Sequence, residues 1–318
     1  MRSRESVGAG ASSRASSRAR ASSRASASEM NKKLKILFEL TKIKITLFVT
    51  ITTAFGFICA SGSITASLVA PVIGILLLAC GSAVTNHYQE RKTDALMKRT
   101  QNRPIPSGKI SPQNALYLAL VLIMSGSVIL YLGAGILALG LGLLNLLWYN
   151  GIYTPLKKHS ALAIIPGSLV GAIPPVVGWV AAGGYIFDPQ IIIISFFFFI
   201  WQIPHFWLLL LILSKDYEQA GFPTLTKIFN YDQLSRITFM WISATGATGI
   251  IIPLFGIVKF PLIDFTIFVL SLWLIWKSTS LLQNNRDKKS FSFAFREINI
   301  FALLVVILLS IDKLVFIP

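Results

Sequence analysis

Charge is scarce in this chain, and acidic charge scarcest of all. Only 13% of its 318 residues are charged, and only 13 are Asp or Glu. A soluble domain carries about 25% charge, so a chain that is 54% apolar with a mean hydropathy of +0.69 is not built for water on every side. Cysteine is nearly absent. Cys59 and Cys80 sit in separate apolar stretches without CxxC spacing and read as small buried hydrophobes. Period-2 alternation is too poor for the strands of a membrane barrel. No unit of 20–50 residues recurs, which excludes a solenoid.

What is present is a succession of apolar runs, each long enough to cross a hydrocarbon core of about 30 Å as a helix. Lipid admits only helices or closed barrels, so the fold class is all-α, a polytopic membrane protein. Nine transmembrane spans are expected, at roughly 43–61, 65–85, 113–132, 135–154, 161–183, 189–213, 236–256, 260–280 and 297–316. The net charge of +16 could suggest nucleic acid, but its placement speaks for topology instead. Apart from Lys259 and Lys313, the Lys and Arg residues lie in the N-terminal region, in the connections after spans 2, 4, 6 and 8, or at their edges. That distribution follows the positive-inside rule. It puts the N-terminus on the cytoplasmic (or matrix) side and the C-terminus outside, with a lipid bilayer rather than nucleic acid as partner. Residues 1–29, with ASSRASSRARASSRAS, are expected to be a disordered Ser/Ala/Arg-rich tail. Their composition resembles a transit peptide but lacks large apolar residues for an amphipathic face. Residues 30–318 form the membrane domain.

The connections on the outer side are short. Those on the inner side are longer and hold most of the polar chemistry. Glu90 and Asp94 fall in one of them, Asp216, Glu218 and Asp232 in another. In NHYQERKTD (86–94), Asn86, Glu90 and Asp94 recur every fourth residue, which on a helix makes one stripe of oxygen-bearing side chains. Two carboxylates and an amide are the hard oxygen donors that Mg²⁺ takes, usually together with substrate phosphates. Arg99, Arg103 and Lys109 follow at once, and guanidinium forks suit phosphate oxygens. A metal–diphosphate site accounts for this pattern, and so does plain charge balance within a topogenic loop. His87 lies about 100° around the helix from Asn86. The Pro-rich RPIPSGKISP (103–112) ends the helix and turns the chain.

Further along, Tyr149, Tyr153 and Lys157 are one helical turn apart, though aromatic belts explain tyrosines equally well. Gln202 and His205 lie inside span 6, where polar residues are functional by default. His205 could ligate a metal, bind an acid group, or hydrogen-bond across helices. His159 reads as incidental.

The sequences around these positions resemble a known family. Asn86–x3–Glu90–x3–Asp94, MKRTQNRPIPSGKI, YNGIYTPLKKHSALAIIPGSLVGAIPPVVGW, WQIPHFW and DYEQAGFPTL are similar to the UbiA-type intramembrane prenyltransferases, and within them to the heme branch, the protoheme IX farnesyltransferases or heme O synthases. The likeness runs from about residue 34 to 316. It implies nine helices around a central cavity capped by two cytoplasmic loops, and farnesyl transfer from farnesyl diphosphate to a vinyl group of heme b with addition of water, giving heme o and diphosphate. It further implies Mg²⁺ as cofactor, with heme b as substrate. The bacterial cytoplasmic membrane is the expected location, ahead of the mitochondrial inner membrane, with heme A synthase or terminal-oxidase assembly as protein partners. By position, the resemblance assigns catalysis to Asn86, Glu90, Asp94 and Asp216, with Glu90, Asp94 and Asp216 as metal ligands. Arg99, Arg103, Tyr153 and Lys157 would bind substrate, with Lys157 reaching the diphosphate, and His205 would contact heme. Glu90 stands where Asp is common, Ala220 where a second Asp is frequent, and Lys92 where relatives often carry an acid, so Lys92 receives no ligand role. Two other readings compete: a prenyltransferase for an aromatic or quinone-precursor acceptor, and a heme-handling transporter without chemistry, which should show an inverted repeat.

Overall fold

The computed structural model describes residues 24, 26, 28–283 and 288–315. Most of the tail lies outside this set. The helix leading into the domain already includes residues 28 and 29 and runs to residue 40.

The main elements are α1 (Ile43–Ser61), α2 (Val69–Asp94), α3 (Pro112–Leu147), α4 (Leu169–Ala181), α5 (Pro189–Ile212), α6 (Tyr231–Ile251), α7 (Pro261–Ser278) and α8 (Lys288–Val315). Among the described residues eight helical stretches are long and apolar enough to cross a membrane, and none of the described residues is in a strand. One stretch, Pro112–Leu156, has 45 residues, about 68 Å if straight and twice what a bilayer needs. It is not straight. Gly135 has φ 84° and ψ 176°, a conformation open essentially only to glycine. Beyond it the helix folds back. A Cβ on Gly142 would lie 3.0 Å from Leu130 Cδ2, although twelve residues of straight helix span about 18 Å. With its two arms counted separately, as spans 3 and 4, the described residues hold about nine stretches long and apolar enough to cross a membrane.

Boundaries shift where polar residues extend a helix beyond the apolar run. α2 continues to Asp94, not 85, and α8 begins at Lys288, not 297. Local chemistry fixes other ends. Ser111 accepts from Asn114 N at 3.2 Å ahead of Pro112. Asn230 and Gln233 form a capping box that starts α6.

Close backbone approaches set the packing. A Cβ on Gly178 would sit 1.8 Å from Thr53 O, and one on Gly56 would sit 1.9 Å from Pro175 O, so α1 and α4 touch backbone to backbone, as small residues allow in membranes. The main apolar core joins α5, α6, α7 and α8 through Phe197, Trp207, Ile242, Ile267, Leu274 and Phe301. A second packs α2, both arms of α3 and α4. The ionic side chains discussed next lie where α2 finishes and the two polar loops meet.

Candidate active site

The last turns of α2 leave the apolar core and carry polar residues that remain buried. Asn86 and Asp94 are fully buried and Glu90 is 6% exposed. Burying such groups is costly unless each is partnered, and each is. Asn86 Oδ1 accepts from Lys42 Nζ at 2.6 Å, and its amide donates to Thr154 Oγ1 at 3.2 Å. Glu90 Oε1 meets the Lys157 ammonium as an ion pair, and no neutral donor reaches that oxygen. Both oxygens of Asp94 accept from Arg103 Nη1, at 2.9 and 2.8 Å. The spacing read from sequence therefore does form a buried stripe, with a cation on each of the three side chains.

Two of these cations are positioned by unusual backbone. Lys42 sits between the N-terminal helix and α1 with φ 48° and ψ 46°, the one non-glycine with positive φ among the described residues. That conformation costs about 1–2 kcal/mol, and it breaks the helix where Lys42 reaches Asn86. Burial, with Arg103 close by, pulls the Lys42 amine down to about 7. Lys157 follows a π-helical turn at Trp148–Tyr153, a geometry that recurs at functional sites. Burial disfavours the Lys157 charge, but Glu90 beside it more than offsets this and holds the ammonium above the ordinary lysine range. The π turn is tied to α2 by Asn150, which donates to Ser82 O at 3.1 Å and Gln89 Oε1 at 3.2 Å and accepts from Ser82 Oγ at 2.6 Å.

Asp216 comes from the second polar loop, in the short helix Ser214–Gln219. It pairs with Arg99 of the first loop at 3.6 Å, both partly exposed. The two loops thus meet over the end of the bundle. A small cavity beneath them is lined by Tyr153, Lys157, Ser160, Ile164, Leu210 and Tyr217. The proposed metal ligands do not converge on one point. Among the described residues no three acids, histidines or cysteines do, because Glu90, Asp94 and Asp216 are each held by a separate cation.

The residues nonetheless suit a divalent ion with a diphosphate. Three carboxylates face four cations, Lys42, Arg99, Arg103 and Lys157. A divalent ion can replace the cations at the acids while diphosphate oxygens take the cations. Both exchanges keep buried charge paired.

An aromatic row leads away from this ionic cluster. The Lys157 ammonium lies 5.5 Å from the Tyr153 ring centre. Tyr153 stacks on Tyr149 at 5.7 Å and on Phe206 at 6.0 Å. Phe206 packs edge-on to His205 at 5.5 Å. His205 is also flanked by Trp201 at 4.9 Å and Phe295 at 5.0 Å. Of the remaining sequence candidates, His87 is buried, and Gln202 packs against Gly171. Glu218 stands apart, its carboxyl held below the usual range by hydrogen bonds from Thr226 and Thr224. Sequence reasoning missed Lys42, Thr154, Asn150 and Gln89. Lys42 belongs to a basic run that topology alone explains, and the others carry no spacing signal.

Comparison with known proteins agrees with this architecture. The UbiA prenyltransferase family model matches residues 49–303. A protoheme IX farnesyltransferase of Oleidesulfovibrio alaskensis is 30% identical over 284 residues, covering 89% of this chain and 98% of that protein. One from Geobacter sulfurreducens is 38% identical over 192 residues, 60% of this chain and 71% of that protein. Among solved structures, digeranylgeranylglyceryl phosphate synthase superposes with a TM-score of 0.74 at 17% identity, covering 90% of this chain and all of that one. A UbiA homologue from Archaeoglobus fulgidus bound to GPP and Mg²⁺ superposes with a TM-score of 0.60 at 12% identity, over 86% and 99%. With the family model spanning most of the membrane domain, this chain belongs to the UbiA prenyltransferase family and is an integral-membrane prenyltransferase.

Proposed function

We propose that this prenyltransferase transfers the farnesyl group of farnesyl diphosphate to a vinyl side chain of heme b, with water completing the addition, to give heme o and diphosphate. The observation that carries the reading is the continuity of an ionic cluster, an aromatic row and a histidine: Asn86, Glu90 and Asp94 with their cations, then Tyr153 and Phe206, then His205. The resemblance of the relatives named protoheme IX farnesyltransferase supports heme as the acceptor.

In this reading Glu90, Asp94 and Asp216 would hold Mg²⁺, which supplies charge neutralisation at the leaving diphosphate. Lys42, Arg99, Arg103 and Lys157 bind the diphosphate oxygens and stabilise the charge that develops there as the allylic C–O bond breaks and its electron pair leaves with the diphosphate. The faces of Tyr153, Tyr149 and Phe206 favour the farnesyl cation. The terminal vinyl carbon of heme b then bonds to farnesyl C1. Water adds to the adjoining carbon and loses a proton, leaving a hydroxyl. Apolar packing around the row keeps water from the farnesyl cation until that bond forms. The polar loops face the cytoplasm of a bacterial inner membrane, and heme A synthase or terminal-oxidase assembly is the partner expected to take the product.

The test offers purified protein labelled farnesyl diphosphate with either heme b or 4-hydroxybenzoate. Labelled heme o with heme b alone is the expected outcome. Labelled benzoate without heme o would establish an aromatic acceptor in its place.

A further inference from the structure

His205 is held by a side chain to which no role has been given. Its Nδ1 lies 2.7 Å from Asn299 Oδ1. The orientation of the Asn299 amide is fixed independently, because Nδ2 donates to Phe295 O at 2.5 Å and a carbonyl can only accept. Oδ1 must therefore face the imidazole, and an amide oxygen accepts only from an N–H. The contact selects the tautomer with hydrogen on Nδ1, which leaves the lone pair on Nε2. Trp201, Phe206 and Phe295 pack around the ring and hold it against rotation. An imidazole with one nitrogen tied to an acceptor and the other carrying its lone pair is in the form that ligates metal, and such a tie raises ligand basicity.

We propose that Asn299 is a positioning residue that holds His205 as the Nδ1–H tautomer, so that Nε2 binds the iron of the porphyrin acceptor and fixes which edge of the ring faces Tyr153 and the prenyl donor. The inference rests on heme b being the acceptor, as proposed above, and adds how the iron is grasped.

Asn299→Leu removes the acceptor and keeps the branched shape of the side chain. Heme b binding to the purified variant, followed by its Soret band, should weaken 10–100-fold, the range for a lost partner of a metal-bound histidine. The nitrogen-ligated spectrum should be lost as it is in His205→Ala, while affinity for farnesyl diphosphate stays unchanged. Iron-free protoporphyrin IX should bind wild type and Asn299→Leu equally. Asn299→Asp, which keeps an acceptor and strengthens it, should retain ligation and move the reduction midpoint of the bound heme to a more negative value. Should the Leu variant fail to insert, that shift alone decides. An unchanged heme spectrum and affinity in Asn299→Leu, an equal loss for iron-free porphyrin, or an unmoved midpoint in Asn299→Asp overturns the proposal. Each of these results leaves heme o formation by the wild type intact; only its absence counts against heme b as acceptor.

Discussion

Asp94 shows how much a single side chain is asked to do. It is fully buried, and Arg103 satisfies both of its oxygens. Asp94→Asn keeps the volume and one acceptor oxygen but removes the charge that a divalent ion needs. Prenyl transfer should fall by at least about 100-fold, as when a preorganised charge partner is lost, while membrane insertion is retained; product formation and detergent-solubilised yield measure the two. Lys42 sets a pH dependence. Its folded value near 7 lies below the unfolded value of about 10.4. Between those limits the unfolded chain binds the proton that the folded chain has shed, so stability rises with pH across that window. Ligand binding has the opposite sign. A diphosphate beside Lys42 favours the ammonium, so binding takes up a proton and affinity falls as pH rises above about 7. Calorimetry in buffers of different ionisation enthalpy should register that uptake, and Lys42→Met should abolish it. The oxygen stripe was legible in sequence because helix periodicity fixes which residues share a face. Lys42 was not, because its role depends on a positive φ that no local pattern announces.

At the level of elements, the site rests on two junctions. The Asn150–Ser82–Gln89 network holds the π turn against α2, which sets Lys157 opposite Glu90. Nothing in WYNGIYTP signals that wider turn, since a π turn arises from how the helix meets its neighbours. The other junction is the backbone contact of α1 with α4 at Gly56 and Gly178. Small residues in this part of the chain let the two backbones approach closely, and the structure identifies the partner helix. Gly178→Ala would place a methyl 1.8 Å from Thr53 O, and neither backbone can yield without moving α1. Overpacking of this kind costs about 1–3 kcal/mol, so the variant should melt at lower temperature in detergent. It should also bind prenyl diphosphate less well, because α1 follows directly from Lys42. Gly140→Ala, where a Cβ meets nothing within 4 Å, should leave the melting temperature unchanged or raise it slightly.

For the whole molecule, the legible features were those governed by lipid. Span lengths and cation placement gave nine crossings and gathered the polar loops at one end; the one ambiguity, a helix of 45 residues, is settled by Gly135. What sequence could not supply was the state of the pocket. Glu90, Asp94 and Asp216 each pair with a separate cation, Lys157, Arg103 and Arg99, and no periodicity announces which cation each acid takes. The Arg99–Asp216 pair clasps the two loops and is partly exposed, so its loss should change stability by less than about 1 kcal/mol. Asp216→Asn should instead loosen the clasp, raising the rate of proteolytic cleavage within residues 214–230 and the KM for prenyl diphosphate together.

In the proposed reaction, buried acids at the end of α2 act on a prenyl diphosphate through a divalent ion. The direct measurement is heme o formation by purified wild-type protein, from heme b and farnesyl diphosphate, while free Mg²⁺ is titrated away with a chelator. Product should fall to the level of the Asp94→Asn variant and return when Mg²⁺ is restored. Undiminished turnover with the ion removed would contradict it.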